Sequence, residues 1–249
     1  MFADDTNILF SNHCLHQLNS TIADTNCSLV NWLNKNKLLL NKDKTVYIDF
    51  HLTQKVSSVI DDIRIENVPI QQERATKFLG VWIDDTLQWD IHKDKLLGKM
   101  KSLCYAFSIL SKISDIETLK CALVHSIITY FIPFWGFSHK NVFIMQKRII
   151  KTMKQVPLSS TTKHLFKELS IMPVPCIYIH ETVCFIQENL HIFTKNRDFH
   201  YHSTRHSNDI FIADQRLHKG HSSVRQRGVL LYKKLLKMSG LARKDSNPK

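Results

Sequence analysis

The sequence predicts an α+β chain, on three observations. Residues 1–88 contain short β-branched or aromatic runs between polar turns, and apolar residues fall into helical spacing after that point. The charge is also divided: residues 1–100 hold 11 Lys/Arg against 13 Asp/Glu, and residues 101–249 hold 23 against 9. With 249 residues, 43% of them hydrophobic and 22% charged, the chain has an ordinary globular balance and room for one large or two small domains.

Leu15, Leu18, Ile22, Leu29, Val30 and Leu33 recur at roughly helical spacing and predict an amphipathic helix across 14–34. Val46 to Phe50, Ile63 to Val68 and Lys77 to Asp84 read as antiparallel strands, with Pro69 helping to end the second. Beyond Asp85-Thr86, Leu96, Met100, Leu103, Phe107 and Leu110 step by four and three residues, the seam of a buried helix. Further helices are expected over about 115–132, 141–155, 162–169 and 176–190. From about 194 onward His, Lys, Arg, Ser and Asn dominate around one apolar run at 229–236, the composition of a partly mobile segment. The expected division is therefore 1–88, 89–193 and 194–249.

The formal net charge of +12 lies in the second half and suits an anionic partner: nucleic acid, acidic lipid or acidic protein. Cysteines 14, 27, 104, 121, 176 and 184 form no C-x-x-C pair, so reduced thiols in an intracellular protein are expected. No basic segment precedes an apolar stretch at the N-terminus, so no secretion signal is expected. The 17 residues from Cys121 to Phe137 are the most apolar stretch, but His125 and Pro133 interrupt it; a buried helix ending near Pro133 is expected rather than a membrane span.

The adjacent carboxylates of Asp4 and Asp5 stand between Phe2-Ala3 and Thr6, just before Ile8-Leu9-Phe10. At about 4 Å two such charges repel by roughly 1–4 kcal/mol unless a cation or water offsets it, and hard divalent cations prefer oxygen ligands. A metal shelf on a β-turn is one reading; a frayed terminus is the other. Asp84-Asp85, between a strand and a helix, suit turn and N-cap roles. His200, His202 and His206 lack a carboxylate or thiol at a recognised zinc spacing, and Trp82, Trp89 and Trp135 occupy apolar contexts that favour packing over base stacking.

The run Phe2-Ala3-Asp4-Asp5-Thr6, then Trp32-Leu33-Asn34, Leu38 to Thr45, Lys77-Phe78-Leu79-Gly80-Val81 and Trp89-Asp90-Ile91-His92 resemble, in order and spacing, the later palm motifs of a reverse transcriptase. The match is to non-LTR retrotransposons of the insect jockey type. Tyr130 to Gly136, Gln146-Lys147-Arg148 and His202-Ser203-Thr204-Arg205 look like the thumb and post-thumb segments of those polyproteins. Viral RNA-copying enzymes usually carry Gly where this chain has Ala3. No endonuclease or RNase H segment is evident.

The resemblance implies an incomplete palm of antiparallel strands plus helix, followed by an all-helical thumb and C-terminal region. It implies two-metal nucleotidyl transfer in the parent enzyme, with Mg²⁺ or Mn²⁺ clamping the phosphoryl group, an RNA template and a DNA primer as partners, and no membrane. Asp4 would be the direct metal ligand, Asp5 its supporting neighbour and Phe2 part of the nucleotide or primer-terminus floor. Lys44 would stand near the incoming nucleotide, and Phe78, Leu79 and Gly80 would form a primer-grip strand, Gly permitting close approach of a nucleic-acid backbone. Lys44 also reads as a surface lysine beside Lys35, Lys37 and Lys42.

Lys93, Lys95, Lys99 and Lys101 on the first thumb helix, with Lys112, would contact template–primer phosphates. Lys147, Arg148, Lys151 and Lys154 make a second basic cluster, and Arg205, Arg216, Lys219, Arg225, Arg227, Lys233 and Lys234 a third. A polymerase of this type also needs fingers and an upstream palm strand bearing another Asp, which no residue before Met1 supplies. The chain is thus expected to be a C-terminal part, inactive by itself and with no metal of its own. The alternative is a nonspecific RNA- or DNA-binding remnant without catalysis.

Overall fold

The computed structural model describes residues 6–52, 63–110, 120–199, 206–212 and 218–238, which fall into two units, 1–92 and 93–249. The described residues mix helix with small sheets, as the α+β expectation has it.

In the first unit, α1 (Leu15–Lys35) buries Ile22 and Asn26 on one face. Asn26 Nδ2 donates to the Arg64 carbonyl at 3.3 Å, fastening the helix to the following sheet. The helix ends because Lys37 turns left-handed (φ 55°) and the Leu38 N–H returns to the Leu33 carbonyl, satisfying an acceptor that the helix leaves open. A 3₁₀ turn, Lys42–Lys44, leads to β1 (Val46–Tyr47).

Two expected strands turn out to be hairpins. The run from Ile63 to Val68 folds back as β2 (Arg64–Ile65) against β3 (Val68–Pro69), around Glu66 and Asn67, both with positive φ. The run from Lys77 to Asp84 is likewise the turn and second arm of β5 (Ala75–Phe78) against β6 (Val81–Asp84), with Leu79 at φ 47° and Gly80 at φ 87°. Two consecutive positive φ values give a turn whose twist matches that of the flanking strands, so a two-residue loop suffices. Between them β4 (Gln71–Gln72) pairs with β1 in parallel, Val46 opposite Gln71, so the strands are not all antiparallel. The three pairs form separate two-stranded sheets.

α2 (Asp90–Leu110) carries the expected seam, with Leu96, Met100 and Phe107 buried. The helix expected over 115–132 differs in its described part. A π-turn (Lys120–His125) runs into α3 (Ser126–Thr129), Phe131 adopts φ 58°, and α4 (Ile132–Trp135) starts afresh. Pro133 therefore lies in the first turn of a helix instead of ending one, a position where its missing N–H costs no helical hydrogen bond.

After a 3₁₀ turn (Gly136–Ser138) come α5 (Lys140–Met153), α6 (Lys163–Glu168) and α7 (Val174–Glu188). Ile128, Ile132 and Trp135 are fully buried, and α4 packs on α7. Gly136 fits beneath Tyr178: an added Cβ would lie 2.6 Å from the ring and 2.7 Å from Ile132 Cγ1. Buried Gln146 ties α5 to the start of α7, donating to the Met172 carbonyl (3.0 Å) and accepting from the Val174 N–H (2.9 Å).

Past residue 194, one 3₁₀ turn (Asn196–Asp198) and α8 (His218–Ser222) precede a π-turn (Val224–Gly228) and α9 (Val229–Met238). Ile210 and Val229 pack with Ile186 and Phe193, so part of this polar segment is anchored in the core. No helix among the described residues is long and apolar enough to cross a membrane. Cys14, Cys27, Cys104, Cys176 and Cys184 are free thiols.

Candidate nucleic-acid interface

Phe2, Asp4 and Asp5 lie outside the described residues, as do Lys112, His200, His202, Arg205 and Arg216. Among the described residues no group of three His, Cys, Asp or Glu side chains is placed to hold a metal ion. Lys44 is exposed at the last position of its 3₁₀ turn, where its N–H donates to the Asn41 side chain at 3.2 Å. Its neighbour Lys42 is ion-paired with Glu66 at 2.7 Å.

Phe78, Leu79 and Gly80 do not form a continuous strand. Phe78 ends β5, while Leu79 and Gly80 are the hairpin turn itself. A leucine in left-handed backbone costs about 1–2 kcal/mol relative to glycine there, so this tip presents an exposed apolar side chain at some conformational expense.

At the other end of the hairpin Asp84 is buried and its carboxylate accepts from the Thr86 hydroxyl (2.9 Å), the Gln88 N–H (2.9 Å) and the Trp89 N–H (2.7 Å). Those bonds hold the left-handed Leu87 and Trp89 in place ahead of α2, so Asp84 takes the turn role expected there and not the N-cap role, its acceptors serving N–H groups that precede Asp90. His51 Nε2 faces the Asp85 carboxylate at 3.5 Å.

The α2 lysines divide between faces. Lys95 and Lys99 are exposed and four residues apart, which places them on one flank. Lys101 lies about 200° farther round from Lys99. Lys93 is half-buried, and its Nζ donates to Ser138 Oγ at 3.2 Å. On α5, Lys147 sits with its Nζ 4.1 Å from the Phe143 ring centroid, Arg148 is exposed, Lys151 donates to the Leu158 carbonyl and Lys154 pairs with Glu168 at 2.5 Å. The Lys154 hydrogen bond and charge hold the Glu168 carboxyl below the usual carboxylate range. Arg225 and Arg227 are exposed; burial pushes the Tyr178 phenol up, with the Arg227 charge partly opposing.

A shallow groove between α5 and α6 was not anticipated from sequence. It is lined by Phe143, Phe166, Ile171 and Pro173 together with Lys147, Lys163 and Lys167. The i, i+4 pair Lys163 and Lys167 was the available signal, hidden in an expected helix too short to draw notice. Trp135, a stacking candidate in principle, is fully buried and donates its Nε1–H to the Tyr130 carbonyl at 3.0 Å.

Two curated proteins of Drosophila melanogaster are similar to this chain. One, a probable RNA-directed DNA polymerase from transposon BS, is 23% identical over 184 residues, 70% of this chain and 20% of the relative. The other, a probable RNA-directed DNA polymerase from transposon X-element, is 27% identical over 117 residues, 45% of this chain and 13% of the relative. The chain thus spans about a fifth or less of the length of these relatives. No family model matches it, and no solved structure does.

Proposed function

From its relationship to the RNA-directed DNA polymerases of transposons, we propose that this chain is the palm-end, thumb and C-terminal portion of a non-LTR retrotransposon reverse transcriptase, and that its own contribution is to grip template and primer. Residues 1–88 act as part of the palm, 89–193 as thumb and post-thumb, and 194–249 as a basic extension. Two-metal nucleotidyl transfer, with Asp4 and Asp5 among the carboxylates, Lys44 near the incoming nucleotide and Phe2 in the floor, belongs to the longer enzyme. The 249 residues by themselves act as a nonspecific RNA- or DNA-binding segment.

The observation that carries this reading is the first thumb helix. Its apolar face buries Leu96, Met100 and Phe107, while Lys95 and Lys99 project together from a flank where phosphates make register-setting contacts without reading bases. The Phe78-Leu79-Gly80 tip adds an apolar contact for the primer backbone.

Binding to an RNA–DNA hybrid is tested by anisotropy at several salt concentrations. The double variant Lys95→Gln/Lys99→Gln is expected to flatten the log–log salt slope by about 1.8, from roughly 0.9 per lost phosphate contact. A wild-type slope near zero would sink the reading. Primer extension by this chain with Mg²⁺ or Mn²⁺ is expected to give no product; product abolished by Asp4→Asn would show that catalysis resides in these residues after all.

A further inference from the structure

The groove between α5 and α6 has a cavity volume of about 410 Å³, within the range of small-ligand clefts. Its lining combines an apolar floor with a one-sided charge. Phe143 and Phe166 meet at 6.1 Å between ring centroids, tilted by 38°, and Ile171 and Pro173 continue the apolar surface. Three cations, Lys147, Lys163 and Lys167, line it as well, and no carboxylate does.

The neighbouring basic residues are already engaged. Lys154 is bound to Glu168, which does not line the groove, and Lys151 to a carbonyl. Lys163 and Lys167, by contrast, are exposed and form no ion pair among the described residues. Gln146, clamped to Met172 and Val174, fixes the loop that carries Ile171 and Pro173, so the floor is built in advance of any ligand.

We propose that this groove is a binding site for single-stranded nucleic acid, taking one base onto the Phe143, Ile171 and Pro173 floor and the flanking phosphates onto Lys163, Lys167 and Lys147. Aromatic floors with cationic margins bind bases without regard to sequence, since every base offers a π-face. The Lys163 and Lys167 positions lie roughly 5–6 Å apart at their Cβ atoms, a spacing that suits consecutive phosphates of an extended strand. The Lys147 ammonium, 4.1 Å from the Phe143 centroid, leaves the ring face for a phosphate as the base enters. The choice of nucleic acid over an acidic peptide rests on the function proposed above.

The test uses the full chain with fluorescein-labelled (dT)₁₂ and an oligomer of equal length with abasic positions, read by anisotropy across salt. Lys163→Gln/Lys167→Gln is expected to flatten the (dT)₁₂ salt slope by about 1.4, from roughly 0.7 per phosphate. Phe143→Leu is expected to weaken (dT)₁₂ about fivefold while leaving the abasic oligomer unchanged. Circular dichroism melting confirms that both variants fold.

Equal binding of (dT)₁₂ and the abasic oligomer, or wild-type slopes in the lysine variant, would overturn the site. So would an oligoglutamate peptide that binds with the same dependence on Phe143. If the groove variants are silent while Lys95→Gln/Lys99→Gln weakens the RNA–DNA hybrid, the groove falls and the template–primer reading stands. The opposite pattern retains the groove and removes the thumb-helix contact.

Discussion

Among the described residues of 1–92 the buried apolar side chains are Ile22, Ile65 and Val81, set under sheets of two strands each. Residues 93–249 bury Trp135, Phe107, Met100 and a series of isoleucines, with Gln146 satisfied between them. Isolated two-stranded sheets are marginal in water, whereas a core of large, fully enclosed side chains loses several kcal/mol with each truncation. The first unit relies on polar devices, the Asp84 carboxylate and the Asn41 cap at turns and the Asn26 link from α1 to Arg64 of β2. The second rests on close packing. Its exposed chemistry can therefore vary without touching what keeps it folded.

That contrast is most directly broken in the second core. Trp135→Ala is expected to cost about 3–5 kcal/mol, measured by urea unfolding, because it opens a cavity and releases the Tyr130 carbonyl. Val81→Ala in the first unit should cost less, about 1–2 kcal/mol; equal losses would mean that the thinner unit is as tightly packed as the other.

Asp84→Ala removes three hydrogen bonds from one buried carboxylate and is expected to cost about 1–2 kcal/mol, with amide exchange rising at Gln88 and Trp89 first. Uniform acceleration across the second unit's core would show the turn to be less local than its bonds indicate.

Leu79→Gly should do the opposite. Relief of the left-handed strain outweighs the added chain entropy, for a net gain of up to about 1 kcal/mol in thermal unfolding. If hybrid binding weakens in the same variant, the strain serves contact with the primer; if binding is unchanged, Leu79 is a turn residue alone.

The smallest effect is a pH dependence. Lys154 lowers the folded Glu168 carboxyl below its ordinary value, so the pair stabilises the fold when Glu168 is ionised in both states. The contribution is present at neutral pH and is lost as pH falls through the ordinary carboxylate range and then through the lowered folded value. Wild type and Glu168→Gln should therefore differ slightly in melting temperature near neutrality and converge in acid. A difference that grows in acid would reverse the sign of the linkage.

Helical periodicity is a local property, and the sequence by itself determined α1, α2 and the helices near 141–155, 162–169 and 176–190 to within a few residues. The same locality made the Asp84 turn and the reverse-transcriptase kinship legible, the latter through order and spacing of short motifs. Hairpins were less visible. Glu66-Asn67 and Leu79-Gly80 sit inside continuous runs of strand-forming residues, and only pairing across the turn makes the chain reverse there.

Pro133 was ambiguous for a related reason, since proline fits both the stop of one helix and the first turn of another, and the left-handed Phe131 decides between them. The groove of Phe143, Phe166 and the three lysines is purely tertiary. Its walls come from α5, α6 and the loop to α7, and Gln146 holds that loop through two hydrogen bonds to residues more than twenty positions away. No window along the chain contains them together, so only packing brought the aromatic floor and the lysines to one place.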